Sequence, residues 1–78
     1  MSAYQLFSTE GCHLCEEAEA LLIAAELDFS LQDILNDPQA YTDYSLLIPV
    51  LVHSASQRQL NWPFDQQALH DFIKSNRL

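Results

Sequence analysis

Apolar residues recur along this chain with two periods, two residues and about 3.6, and the changes of period mark out seven elements. The apolar stretch Tyr4-Gln5-Leu6-Phe7 predicts a first strand that closes at Ser8. Leu14, Ala18, Leu21, Leu22 and Ala25 then follow at helical spacing, which predicts an amphipathic helix over residues 12–26. Glu16, Glu17 and Glu19 crowd its first turns, where negative charge suits the helix dipole. Leu27-Asp28-Phe29-Ser30-Leu31-Gln32 alternates with period two, as a half-buried second strand does. Asp37 as N-cap with Pro38 at the first helical position predicts a second helix that ends near Tyr44.

Ile48-Pro49-Val50-Leu51-Val52-His53 predicts a buried third strand, since proline is tolerated at a strand's first position. Polar residues 54–57 supply a turn, and Arg58-Gln59-Leu60-Asn61 a short returning strand. A last helix starts at the N-cap Asp65 and carries Leu69, Phe72 and Ile73 as its apolar stripe. Phe64 and Leu69 flank that start as a hydrophobic staple, and Lys74 and Arg77 suit its negative end. Tyr41 and Tyr44, at i and i+3, are expected to pack in the core. Trp62 and Phe64 suit either core packing or a substrate groove near Pro49, and His53 and His70 read as ordinary polar residues. No linker or repeat interrupts the order β-α-β-α-β-β-α, so residues 1–78 are read as a single domain.

Composition narrows the function classes. A chain of 78 residues buries only about 60–65% of its unfolded surface, and 49% hydrophobic residues support a core without structural staples. Three basic residues against eleven acidic ones give a formal charge of −8, a poor surface for nucleic acid or anionic membranes. No apolar run reaches membrane-spanning length. The only glycine, Gly11, excludes a glycine-rich phosphate loop. Met1-Ser2-Ala3-Tyr4-Gln5 lacks the basic start of a secretory signal, so a cytoplasmic monomer is the expectation. In that compartment two closely spaced cysteines point to redox or metal chemistry more than to a structural bridge.

Those cysteines are Cys12-His13-Leu14-Cys15, placed where the first strand hands over to the first helix. The spacing brings two thiols within bonding reach. It also leaves the first facing the unsatisfied N–H groups of the helix start, which favour a thiolate. The thiolate is the nucleophile of disulfide exchange. His13, as imidazolium, would help to hold that charge, while Glu10, Glu16, Glu17 and Glu19 oppose it.

Gly11-Cys12-His13-Leu14-Cys15 after the first strand, with Ile48-Pro49-Val50 opening the third, resembles the glutaredoxin branch of the thioredoxin superfamily over nearly the whole chain. The resemblance implies an α/β, thioredoxin-like (glutaredoxin-type) fold with a four-stranded mixed sheet flanked by three helices. It also implies that Cys12 attacks, that Cys15 resolves, and that Pro49 follows a cis peptide and, with Ile48, meets the substrate. The implied activity is that of a thiol–disulfide oxidoreductase, a small electron carrier in cell redox homeostasis. Its partners would be a protein disulfide or mixed disulfide and a reductase or thiol donor. No tightly bound cofactor is implied, and glutathione stays open as a co-substrate.

Some positions depart from the family pattern. Thr9 stands where glutaredoxins commonly have a basic residue, and Asn61-Trp62-Pro63-Phe64 lacks the Gly-Gly pair that helps to hold glutathione. Asp65 falls near a family aspartate that meets the glutathione amine. The thioredoxin pattern fails as well, with Gly11 at the place of its tryptophan and His13-Leu14 in place of Gly-Pro. Two other classes fit the same residues. One is a binding module that holds Cu(I) or Zn(II) between Cys12 and Cys15, although copper chaperones carry methionine where this chain has Glu10. The other is a redoxin-shaped protein that only docks to a partner.

Overall fold

In a computed structural model that describes residues 2–76, the chain follows the predicted order of strands and helices. The elements are β1 (Tyr4–Ser8), α1 (His13–Ala24), β2 (Phe29–Asp33), α2 (Pro38–Tyr44), β3 (Val50–His53), β4 (Arg58–Asn61) and α3 (Gln66–Ser75). A single 3₁₀ turn, Ile34–Asn36, joins β2 to α2. The four strands form one mixed sheet in the order β2-β1-β3-β4. β1 and β2 run parallel, which demands a crossover, and α1 supplies it. The β1–β3 and β3–β4 pairs are antiparallel.

Register sorts the side chains. Leu6 lies beside Leu31 on one flank and Leu51 on the other, and Leu51 beside Leu60, so this row shares one face. Leu6 and Leu51 are fully buried there with Ala18 and Leu22 of α1 and Leu69 and Phe72 of α3. On the opposite face Phe7 stacks on Tyr44 of α2, ring centroids 4.6 Å apart. The N-cap and staple hold as predicted at α3. Asp65 accepts the Ala68 N–H at 2.8 Å, and Phe64 and Leu69 are both buried in the core. Trp62 packs edge-on against Phe64, ring centroids 5.1 Å apart, and takes the core side of its two readings.

Some expectations need correction. The helix predicted over 12–26 is three residues shorter, running from His13 to Ala24, because Cys12 is its N-cap and Ala25 its C-cap. Glu26 adopts φ 57° and closes a Schellman motif, with Glu26 N–H donating to Ile23 and Leu27 N–H to Leu22. The buried stripe is Cys15, Ala18 and Leu22, while Leu14 and Ala25 at the ends of the predicted stripe are exposed. Leu27 and Asp28 belong to the turn after α1, so β2 begins at Phe29 and extends to Asp33. Ile48 and Pro49 precede β3 rather than open it. Tyr41 is half exposed, since only Tyr44 of that pair reaches the sheet. Lys74 lies in the last turn of α3, and Arg77 lies outside the described residues. Among the described residues no helix is long and apolar enough to cross a membrane.

Candidate functional site

The site begins where β1 runs out at Ser8. Thr9 to Cys12 make a tight turn, closed by the Cys12 N–H donating to the Thr9 carbonyl at 3.3 Å. Gly11 sits third in that turn at φ +79°, the left-handed position that a type II turn reserves for glycine. Cys12 then takes an extended conformation, φ −87° and ψ 105°, and becomes the N-cap of α1. Its Sγ accepts the Cys15 N–H at 3.2 Å, the work that a Ser or Asp side chain does at most helix starts. The sulfur therefore lies at the positive end of the helix dipole, in contact with an N–H that has no partner within the helix.

Cys12 and Cys15 are joined as a disulfide, with Cα atoms 5.2 Å apart. Their surroundings differ. Cys12 is half-buried, whereas Cys15, one turn further along, is 2% exposed on the stripe that meets the core. Exposure thus distinguishes an outer sulfur from an inner one.

Beside the disulfide runs an open groove of about 450 Å³. Its floor comes from the carboxyl ends of the parallel strands, Ser8 of β1 with Leu31 and Asp33 of β2, and Ser8 pairs in register with Asp33. One wall is the α1 face that carries Cys12, Cys15, Glu16 and Glu19, which the spacing i, i+3, i+4 and i+7 brings to one side. Thr9, Glu10, Gly11 and Asn36 complete the rim. Four carboxylates thus face this space, and among the described residues no basic side chain lines it. Asp33 is held in place by accepting the Leu35 N–H at 2.9 Å, which also starts the 3₁₀ turn. Sequence reading finds Cys12, Cys15 and the glutamates of α1 but misses Ser8, Leu31, Asp33 and Asn36. Ser8 reaches the groove as the last residue of β1, and the β1–β2 pairing brings Leu31, Asp33 and the following turn with Asn36 beside it.

His13 opens α1 on its outer side, 84% exposed, with its ring 3.9 Å from the Glu16 carboxylate and 3.8 Å from that of Glu17. It is not part of the groove lining. The Ile48–Pro49 peptide is cis, as the resemblance implies, and Trp62–Pro63 is a second cis bond. Ile48 is half-buried and Pro49 fully buried, and neither lines the groove. The Pro49 carbonyl instead accepts the Trp62 N–H at 3.3 Å. The Asp65 carboxylate is engaged as the cap of α3. Among the described residues, no three His, Cys, Asp or Glu side chains are grouped so as to hold a metal ion. The cysteine pair itself is the one soft donor set these positions offer.

Comparison with known proteins agrees with this geometry. The family model described as "Glutaredoxin-like domain (DUF836)" matches residues 4–74. The crystal structure of protein XcR50 from X. campestris is 32% identical and superposes with a TM-score of 0.85, covering 94% of this chain and 97% of that one. The solution structure of XcR50 gives a TM-score of 0.82 at 32% identity, over 96% and 95% of the two chains. Protein Ne2328 from Nitrosomonas europaea, at 22% identity, shares the fold, with a TM-score of 0.77 over 91% of this chain and 89% of its own. No curated protein matches this chain.

Proposed function

The chain belongs to the glutaredoxin-like domain family, and we propose on that premise that it is a thiol–disulfide oxidoreductase. It would act as a small carrier that exchanges two electrons between Cys12/Cys15 and substrate disulfides. The observation that carries this reading is the pair's asymmetry. An accessible sulfur caps the start of α1, and a buried partner stands one turn behind, already bonded to it. Helix N–H groups and dipole favour negative charge at that cap, the form in which the reduced Cys12 attacks.

Starting from the dithiol, the Cys12 thiolate attacks one sulfur of a substrate disulfide. The substrate S–S bond breaks, a mixed disulfide forms, and the first substrate thiolate leaves and takes up a proton. Cys15 then loses its proton and attacks the Cys12 sulfur, which breaks the mixed disulfide and releases the second thiolate. The protein is oxidised by two electrons and the substrate reduced by two. A thiol donor or reductase returns the pair to the dithiol by the same steps in reverse. Burial of Cys15 suits it to resolve rather than to start the reaction. His13 contributes only through solvent, because its ring is exposed and shared with two carboxylates.

Mixed-disulfide trapping tests the assignment. In Cys15→Ser, reaction with an excess of a neutral disulfide such as 2-hydroxyethyl disulfide leaves one adduct on Cys12, stable without added thiol. In Cys12→Ser, adduct formation is at least tenfold slower because the remaining thiol is buried. Faster labelling of Cys15 than of Cys12 would reverse the roles.

A further inference from the structure

The groove beside the disulfide is acidic on every charged side, and its chemistry says more than the thiol pair alone. Glu10, Glu16, Glu19 and Asp33 contribute four carboxylates, and among the described residues no Lys, Arg or His lines it. The carboxylates surround a floor that is apolar at Leu31, which is half exposed. Ser8 also lies in the floor at 5% exposure, and its hydroxyl forms no hydrogen bond among the described residues. Ser8 is not one of the fully enclosed, unpartnered polar groups among the described residues, so its hydroxyl keeps access to the groove, where water or an entering N–H donor can bond it. Carboxylate rim, apolar floor and accessible hydroxyl together match a side chain with an aliphatic stem and a cationic N–H head, as in Lys or Arg.

We propose that the groove selects the substrate: it receives a polypeptide segment whose disulfide-bonded cysteine is flanked within a few residues by Lys or Arg. This rests on the oxidoreductase reading above, because the groove matters only if Cys12 exchanges with the cysteine held over it. A polypeptide is favoured over a small cation because the groove is open and continues into exposed apolar residues. Leu31 lies in its floor, and Leu35 projects 66% exposed from the adjoining 3₁₀ turn. The same carboxylates act against anionic partners. Glutathione carries a net negative charge at neutral pH, and Thr9 on the rim offers no cation to hold it. The exchange step is unchanged, and the groove alters only how often the cationic segment is held with its disulfide against Cys12.

The test uses the reduced full chain and three peptides of equal length. Each has one cysteine in a mixed disulfide with 2-mercaptoethanol, and its flanking residues are all Lys, all Ala or all Glu. Reduction is followed by acid quench and mass spectrometry. At ~0.01 M ionic strength the Debye length is ~30 Å, so all four carboxylates act on the peptide, and at 1 M it is ~3 Å. The Lys peptide should react about tenfold faster than the Ala peptide and the Glu peptide about tenfold slower at low salt. At 1 M the three should converge to within about twofold. The Lys-to-Ala ratio cancels any change in the thiol itself, and in a Glu16→Gln/Glu19→Gln double variant it should fall to about threefold. Glu10→Gln provides a second, loop-based reduction of the same ratio.

Equal rates for all three peptides at low salt, with brisk exchange, would overturn the groove's role and leave the oxidoreductase reading standing. No exchange with any peptide would remove that reading and the groove's role with it. Cystamine, a cationic disulfide with no peptide chain, is the control for the occupant. If it reacts as fast as the Lys peptide, the proposal of a polypeptide segment is overturned.

Discussion

Replacing Gly11 by alanine places a methyl group on the turn that delivers Cys12 to its helix cap, and its cost follows from the backbone alone. Gly11 has φ +79°, where an L side chain meets its own carbonyl at a cost of about 1–2 kcal/mol. Alanine also lowers the entropy of the unfolded chain, which favours folding by up to ~1 kcal/mol only where the native φ suits it, and this one does not. No heavy atom lies within 4 Å of the added Cβ, so no clash adds to the strain. The expected loss is therefore about 1–1.5 kcal/mol. Urea denaturation of the oxidised protein reads it as a midpoint shift of roughly 1 M, given a slope of ~1 kcal/mol/M for so small a domain. Thermal melting should fall by about 4–8 °C. Gly11→Asn should lose less, because asparagine tolerates the left-handed region. An unchanged midpoint for Gly11→Ala would mean that the turn is not held in this conformation. A loss above ~3 kcal/mol would mean that the added methyl meets packed atoms.

Other perturbations isolate other parts of the fold. Glu26 occupies the left-handed position after α1 that glycine usually fills, so Glu26→Gly should raise stability by about 0.5–1 kcal/mol, read from the urea midpoint. Asp65→Ala removes the cap of α3 and should lower stability by ~1 kcal/mol, with Asp65→Asn losing less than half of that. Leu51 of β3, fully buried on the sheet face that packs against α1 and α3, should cost about 2–5 kcal/mol when cut to alanine, measured by calorimetry or denaturant.

Much of this architecture was legible because local rules and tertiary packing agree. Strand β1 and the caps of α2 and α3 follow from the apolar stretch after Ala3, Asp37-Pro38 and Asp65, and β4 from the turn before it. The end of α1 was not legible, since Glu26 gives no sign that it takes a glycine's conformation. Nor was the short 3₁₀ turn, whose start depends on Asp33 turning back to cap Leu35. At the site, Cys12 and Cys15 stand out by spacing. Leu31, Asp33 and Asn36 are ordinary strand and loop residues until the parallel pairing of β1 and β2 sets them along the groove that also holds the disulfide. The proline before β3 was legible as a position, while its burial beneath the surface was not, because burial depends on what covers it.

The central claim is that Cys12 and Cys15 form a reversible dithiol–disulfide couple. It is tested most directly by equilibrating the protein against graded ratios of reduced and oxidised dithiothreitol, counting thiols at each ratio, with and without a chelator. The account predicts that both thiols appear and vanish together, along a two-electron curve with a tenfold change in equilibrium constant per ~30 mV. The curve should be the same with chelator and absent in Cys12→Ser. Thiols that titrate separately, or a disulfide that forms only once a chelator has removed bound metal, would contradict it.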